Sequence, residues 1–284
     1  MAGLREPSLE VAIGFKGVGK TYTANDIINQ YVKNDPSGRK GRPVLVFDTN
    51  NEYCDSNGYY GFKAIDFDVT EPNENLRCKE IKKIVAPGKY RILPFRKDRQ
   101  PMSQKEMMIT ATSIIRHYRN GMLVLEDINK YSMSSYNQDF VGMFIGLRHL
   151  GVDLMAHFQS LRAIPPRVWQ NMNFLRWHKQ SDAIFKYKDR IDNFELFAIA
   201  EQVIEYKYSS DEHYFLWVDV LKNKLINVTP EDFKKGCLSY LNIYGSALSK
   251  ESQSFDENGQ KKYKSTADSI NGFAERKAKQ YLRE

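Results

Sequence analysis

The stretch that most constrains this chain is IGFKGVGKTYT, residues 13–23, which follows directly on the apolar run Leu9-Glu10-Val11-Ala12-Ile13. Gly14, Gly17 and Gly19 free the backbone beside Lys20 and Thr21, so an anion can approach the main chain more closely than any side chain would allow. The apolar run predicts a short buried strand. Residues 22–33 carry Ile27, Ile28, Tyr31 and Val32 at helical spacing and predict a helix. A loop rich in turn formers (35–43) leads to a second apolar strand, 44–47, ending at Asp48. Strand, glycine loop, helix and strand in that order form a unit of the parallel type.

The rest of the chain extends this pattern. Residues 50–99 are irregular, with short strands predicted at 62–67 and 89–94 that need not belong to the main sheet. Met107, Met108, Ala111, Ile114 and Ile115 predict a helix over 103–118. Met122-Leu123-Val124-Leu125 is apolar throughout, as a central parallel strand covered on both faces should be, and it ends in Glu126-Asp127. A helix over 138–150, a turn at Gly151 and a buried strand over 152–156 follow, the last finishing in His157-Phe158-Gln159-Ser160. Pro165-Pro166 opens a short helix through 167–171, and 173–177 is expected as a fifth core strand. Beyond Tyr187 the pattern weakens to a helix over 193–204 and a strand over 213–220 in a hairpin with 225–228. The sequence thus divides into a core of 1–187, a C-terminal part of the same domain (188–247), and a polar tail (248–284) expected to be mobile, with at most a terminal helix over 270–282.

Composition narrows the function classes. The chain has 284 residues, 42% hydrophobic and 27% charged, as expected of a globular protein with a substantial core. No apolar run approaches the roughly 18 residues of a membrane span, and the first ten residues lack the apolar core of a secretory signal. Cys54, Cys78 and Cys237 are isolated, which points to neither a zinc site nor a disulfide framework and makes a reducing cytoplasm the expected location. His117, His149, His157, His178 and His213 show no metal-ligand spacing. The net charge of +7 is uneven: residues 76–99 hold nine Lys or Arg against two acids, and residues 161–190 seven against two. Such stretches suit either a solvated surface or a phosphate polyanion. The 17 tyrosines and 16 phenylalanines suit a core or base stacking.

Gly14, Gly19, Lys20 and Thr21 satisfy G-x-x-x-x-G-K-[ST], between a predicted strand and a predicted helix. In this context residues Gly14, Phe15, Lys16, Gly17, Val18, Gly19, Lys20, Thr21 and Tyr22 form the candidate nucleotide-binding stretch. Backbone N–H groups would form an anion nest, Lys20 would reach the β- and γ-phosphates of ATP, and Thr21 would give its hydroxyl to Mg²⁺. An acid at the end of a neighbouring strand must help hold that metal, and another group must orient water; Glu126 and Asp127 are the candidates. Glu126 would act on Mg²⁺ directly or through water, and Asp127 would polarise the attacking water. The usual order at such sites is Asp then Glu, so the reversal leaves the division of labour open.

The glycine loop, the Leu123-Val124-Leu125-Glu126-Asp127 strand end and the stretch GLRHLGVDLMAHFQSLRAIPPRVWQNMNFL together resemble the HerA/FtsK superfamily of P-loop ATPases. That superfamily includes chromosome-pumping translocases, conjugation ATPases, viral genome-packaging ATPases and the Zot-like assembly ATPases of filamentous phages. Its recurring pattern of a helix ending in Arg, then Gly, then a hydrophobic strand ending in a polar residue and Gln is matched by Arg148, Gly151, 152–156, His157 and Gln159. His157 departs from the usual Thr or Ser. FDTNNEY, residues 47–53, is similar to the family's second-strand motif, with Glu52 near the nucleotide. The resemblance covers residues 9–179. It implies an α/β P-loop NTPase fold, RecA/ASCE-like, with a mainly parallel central sheet flanked by helices and a small C-terminal extension. It also implies an ATP-hydrolysing, Mg²⁺-dependent motor acting on DNA, single- or double-stranded, as a homo-oligomeric ring. In that setting Gln159 would sense the γ-phosphate and Arg148 would project into a neighbouring subunit as an arginine finger, a role for which Arg162 and Arg167 compete. A portal or capsid protein is a further candidate partner, and the location would be cytoplasmic, the host's if the protein is viral, or associated with the virion. Two other functions stay open: a Zot-like ATPase of virion assembly or extrusion, a group that usually carries a membrane span not seen here, and a nucleotide-dependent virion component without motor activity.

Overall fold

The computed structural model describes residues 6–36, 38–131 and 138–283. The chain divides into two compact units, Met1–Asn173 and Phe174–Glu284, whereas the sequence pattern places its boundary after residue 187.

In the first unit the order is β1 (Leu9–Ile13), α1 (Lys20–Tyr31), β2 (Pro43–Phe47), β3 (Phe62–Ala64), α2 (Glu74–Arg77), α3 (Lys79–Lys82), β4 (Gly88–Ile92), α4 (Gln104–His117), β5 (Met122–Leu125), α5 (Gln138–Gly146), β6 (Asp153–Phe158) and α6 (Pro166–Asn171). The strands lie in the order β3-β4-β2-β5-β6-β1, and every pair among them is parallel. All six therefore end at one edge of the sheet, with β6 between the strand of the glycine loop and the strand of the acids. Every residue of β1, β2, β5 and β6 is buried, which explains why these strands are mainly apolar on both faces rather than alternating, with Glu10, Asp153 and His157 as buried polar members. One face is closed by α1, whose Ala24, Ile28 and Tyr31, one helical turn apart, pack with Val44, Val46, Val124 and Met155. Full burial of a side chain such as Ile28 is worth about 1.5–3 kcal/mol, so this stripe, rather than helix propensity, holds α1 in place.

Several elements differ from the sequence expectations. The helix after the glycine loop begins at Lys20, two residues early, because Gly19 with φ 87° is its N-cap. The short strands near 62 and 89 do join the main sheet, pairing Phe62 with Lys89 and Lys89 with Val44. The helix expected over 138–150 is α-helical only to Gly146; Leu147–Leu150 tightens into a 3-10 turn before Gly151, φ 68°. Strand β6 runs on to Phe158, so His157 lies inside it. At the start of β6 the buried Asp153 accepts hydrogen bonds from Ser8, Tyr31 and Arg42, tying together the segments that lead into β1 and β2.

The second unit contains β7 (Phe174–His178), α7 (Phe194–Tyr208), β8 (Phe215–Asp219), β9 (Lys224–Ile226), α8 (Pro230–Ile243), α9 (Gly245–Ser252) and α10 (Thr266–Tyr281). The stretch expected as a fifth core strand is β7, which pairs antiparallel with β8, as β8 does with β9. Helix α8 has no counterpart in the sequence expectations. Its N-cap is Thr229, whose hydroxyl accepts from the Asp232 N–H at 3.1 Å. Within the tail expected to be mobile, α10 buries Phe273, Ala274 and Tyr281. Phe273 stacks on Tyr240 of α8, and Arg276 binds Glu251 through both terminal nitrogens at 3.0 and 2.7 Å.

Candidate functional site

Strand β1 delivers the chain to Gly14 fully buried, and the loop must then reverse into α1 within a few residues. Gly17 and Gly19 take φ 89° and 87°, a region that costs any residue with a Cβ about 1–2 kcal/mol. Gly19 caps α1 without a side chain, and the first turn of the helix carries no acid, so its free N–H groups stay available to an anion. The Lys20 ammonium, largely buried, donates to the carbonyl oxygens of Gly14 at 2.6 Å and Phe15 at 2.7 Å, which draws the loop round it. The Thr21 hydroxyl donates to Glu52 Oε2 at 2.7 Å.

Glu126 and Asp127 follow β5 at the same edge. Glu126 is 3% exposed and both of its carboxylate oxygens are engaged: Oε1 accepts from the Tyr53 hydroxyl, and Oε2 accepts from His157 Nδ1 at 2.9 Å. An ionised carboxylate only accepts, so Nδ1 carries the proton. Burial by itself would raise the Glu126 carboxyl, but the His157 ring, the Tyr53 hydroxyl and the Lys20 charge together hold it below its usual value. Asp127 sits in the left-handed region, φ 40° and ψ 54°, which turns its carboxylate away from the strand direction. Asn50 Nδ2 donates to Asp127 Oδ2 at 2.9 Å, and Lys130, hydrogen-bonded to Asn50 Oδ1, lies 3.9 Å from the same oxygen.

The turn after β2 connects these groups. Asp48, fully buried, accepts from the N–H groups of Glu52 at 2.8 Å and Tyr53 at 3.0 Å, and from Arg91 Nη1 of β4 at 3.1 Å. Arg91 also donates to Asn51 Oδ1 at 2.9 Å, and Asn51 takes φ 53°. Burial raises the Asp48 carboxyl despite these partners. With its backbone fixed in this way, one short turn places Asn50 on Asp127, Glu52 on Thr21 and Tyr53 on Glu126. Tyr53 is itself a core residue, its ring 5.0 Å from that of Phe62.

The result is a cleft of about 260 Å³ lined by Lys16, Gly17, Gly19, Lys20, Thr21 and Tyr22 on one side and by Asn50, Glu52, Tyr59, Glu126 and Asp127 on the other. Lys20, Thr21, Glu126 and Asp127 are brought together as a group. Among the other loop residues, Phe15 is 39% exposed and Val18 is buried, and neither lines the cleft, nor does Gly14. Gln159 is exposed, one residue beyond β6 at the cleft edge of the sheet, without lining the cleft. Arg148 lies in the 3-10 turn leading into β6, at the opposite edge. A six-residue strand spans about 20 Å, so Arg148 cannot serve the cleft of its own chain. Arg162 lies in the turn after β6 and Arg167 on α6. Asn50, Tyr53, Tyr59 and Lys130 were not singled out from sequence, and His157 was assigned no role. Asn50 and Tyr53 stand in the FDTNNEY stretch, where their flanking of Glu52 was the available signal; Tyr59 and Lys130 carry none.

A parallel sheet that presents a glycine-lysine loop and a strand-end acid pair on either side of one intervening strand, at one edge, defines a P-loop nucleotide-binding protein. Within that class the chain belongs to the family described as Helicase HerA, central domain, whose model matches residues 13–215. Among solved structures, the genome packaging NTPase B204 from Sulfolobus turreted icosahedral virus 2 in complex with AMP is similar, with TM-score 0.50 and 12% identity over 78% of this chain and 96% of that one. The same protein with ATP-gammaS gives TM-score 0.50 and 12% identity over 78% and 95%. The N-terminal domain of zonular occludens toxin from Neisseria meningitidis gives TM-score 0.34 and 15% identity over 65% and 90%. At these identities the likeness to B204 is one of fold. No curated protein sequence matches the chain.

Proposed function

We propose that this chain is an ATP-hydrolysing motor that works as a homo-oligomeric ring and translocates or packages DNA, of a phage or mobile element. The observation that carries the ATPase reading is the convergence of Lys20, Thr21, Glu126 and Asp127 on one cleft. The loop amides and Lys20 would bind the β- and γ-phosphates. Thr21, and Glu126 acting through water because both its oxygens are engaged, would hold Mg²⁺, which when bound neutralises phosphate charge in the transition state. The donor set fits: all are hard oxygens, and Mg²⁺ is commonly held by one or two protein oxygens with phosphates supplying the rest. Asp127, oriented by Asn50, would position and deprotonate the attacking water. Gln159 would report on the γ-phosphate from the end of β6, and Arg148 would serve a neighbouring copy's cleft.

DNA as the substrate is supported by the net charge of +7, by the helicase family to which the chain belongs, and by the description of B204 as a genome packaging NTPase. The test is steady-state ATP turnover with and without single- and double-stranded DNA. Stimulation by either form is expected. Turnover that ignores both would favour an assembly ATPase acting on virion proteins, and no turnover a nucleotide-dependent virion component.

A further inference from the structure

The two sides of the cleft offer a triphosphate unlike chemistry. On the loop side, Lys20 and the free N–H groups at the start of α1 are donors. On the other side Glu52, Glu126 and Asp127 are acids, and among the described lining residues there Asn50 and Tyr59 carry the side-chain donors. Asn50 is committed at both ends, its Nδ2 to Asp127 and its Oδ1 to Lys130. The hydroxyl of the half-buried Tyr59 has no hydrogen-bond partner among the described residues. Local structure holds that residue in place. The N–H groups of Asn57 and Tyr59 both donate to the Cys54 carbonyl, at 3.0 and 3.1 Å, and Asn57 Nδ2 donates to the Glu52 carbonyl at 2.9 Å. Gly58 makes the reversal at φ 80°, which a residue with a Cβ resists. The Tyr59 ring lies 5.6 Å from that of Tyr53, whose own hydroxyl is on Glu126, so the segment after β2 carries both tyrosines to the cleft. Burial, with Glu52 and Glu126 nearby, raises the Tyr59 phenol above its usual value, so it stays protonated, a neutral donor among acids.

We propose that the Tyr59 hydroxyl donates a hydrogen bond to the terminal phosphate of a bound nucleoside triphosphate and is a further catalytic residue of this cleft. This inference rests on the nucleotide reading and adds to it a contact that tells triphosphate from diphosphate. The loop amides and Lys20 hold the phosphates from their own side, so the far face of the terminal phosphate meets Glu52, Glu126 and Asp127, whose charge repels it. Tyr59 is the uncommitted donor on that side among the described lining residues, and a hydrogen bond to a charged phosphate offsets part of the repulsion. ADP lacks the group that Tyr59 would touch, so the gain falls to ATP alone.

The test is Tyr59→Phe, which deletes the hydroxyl and keeps the ring against Tyr53. That hydroxyl has no partner among the described residues, so the melting temperature is expected to stay at the parental value. Calorimetric binding of ATPγS with Mg²⁺ is expected to weaken about tenfold or more, the worth of a hydrogen bond to a charged group, while ADP affinity stays within about twofold of the parent. The kcat/KM for ATP is expected to fall by about tenfold or more. Equal losses for the two nucleotides would show that Tyr59 merely shapes the cleft, and no loss for either would remove it from the site; both results overturn the proposal. A variant that melts several degrees lower would overturn it too, by showing the hydroxyl to be spent within the fold. A parent that binds neither ATPγS nor ADP would defeat the nucleotide reading itself, whereas a parent that binds both beside an unchanged Tyr59→Phe leaves that reading standing and defeats the role given to Tyr59.

Discussion

Glu126 is a buried carboxylate at the rim of the proposed nucleotide cleft. A carboxylate removed from water costs several kcal/mol unless its oxygens are satisfied, and here Tyr53 and His157 supply one donor to each. The same two bonds fix its rotamer, whereas Asp127 is held, among the described residues, by Asn50 and the more distant Lys130, and under the proposed function it would be the carboxylate that takes a proton from water. Tyr53→Phe removes one donor and keeps the ring in the core. It should lower stability by about 1.5–3 kcal/mol, the worth of a hydrogen bond to a charged group, and slow turnover about tenfold with little change in ATP affinity. Urea unfolding and single-turnover rates on the purified variant check both parts. Unchanged turnover would mean that the orientation of Glu126 does not matter to catalysis.

At the scale of the element, the turn after β2 is held by a buried ion pair. Arg91→Met leaves Asp48 without its charge partner in a fully buried position and should cost about 3–5 kcal/mol. Asp48→Asn in the Arg91→Met background should recover part of that loss, and a double-mutant cycle by denaturant melts gives the coupling; additive costs would show that the pair does not organise the turn. Helix α7 offers a test by pH. The Glu201 carboxyl is raised to about 7, chiefly by burial, from 4.5. The folded state therefore binds the proton more tightly, and Glu201 makes stability fall as pH rises from about 4.5 to 7 and costs a constant amount above that. Glu201→Gln keeps an acceptor for the Ile184 N–H and removes the charge, so it should stabilise the protein by of order 2–3 kcal/mol at pH 8 and hardly at all at pH 4. Equal effects at the two pH values would contradict this.

The elements also show what the sequence makes legible. Strands covered on both faces leave mainly apolar runs, so β1, β2, β5 and β6 are legible to within one or two residues, and with them the placing of the glycine loop and the acid pair. Helix α8 carries an equally legible signal: Thr229-Pro230-Glu231-Asp232 is a cap, and Phe233, Cys237, Tyr240 and Leu241 lie on one face. The packing of α10 is hidden because its contact rests on Phe273 and Tyr281 within an otherwise polar stretch, whose composition is that of a mobile tail. The clamp on Glu126 could not be read at all. It depends on a turn from β2 and a residue inside β6 meeting at one point, which is a property of strand order rather than of any local pattern.

For the whole molecule, the separation of Arg148 from its own cleft is the decisive geometry. A positive group that stabilises phosphoryl transfer must reach the phosphates, and under the proposed function Arg148, separated from its own cleft by the length of β6, would do so in another copy. Arg148→Ala should therefore lose turnover alone, while Lys20→Ala, with an intact Arg148 but a dead cleft, should restore part of it in mixed assemblies. Titrating one inactive variant against the other in a phosphate-release assay checks this, and no rescue at any ratio would place the Arg148 defect within its own chain.

The central claim, that the acid pair at the end of β5 works on a nucleotide held by the glycine loop, is tested most directly by ATP turnover of Asp127→Asn at saturating ATP and Mg²⁺. The account predicts a rate lower by on the order of 100-fold or more with ATP affinity retained, as expected when a group that handles the proton of water is replaced by an isosteric amide. A variant that hydrolyses ATP at the parental rate would contradict it.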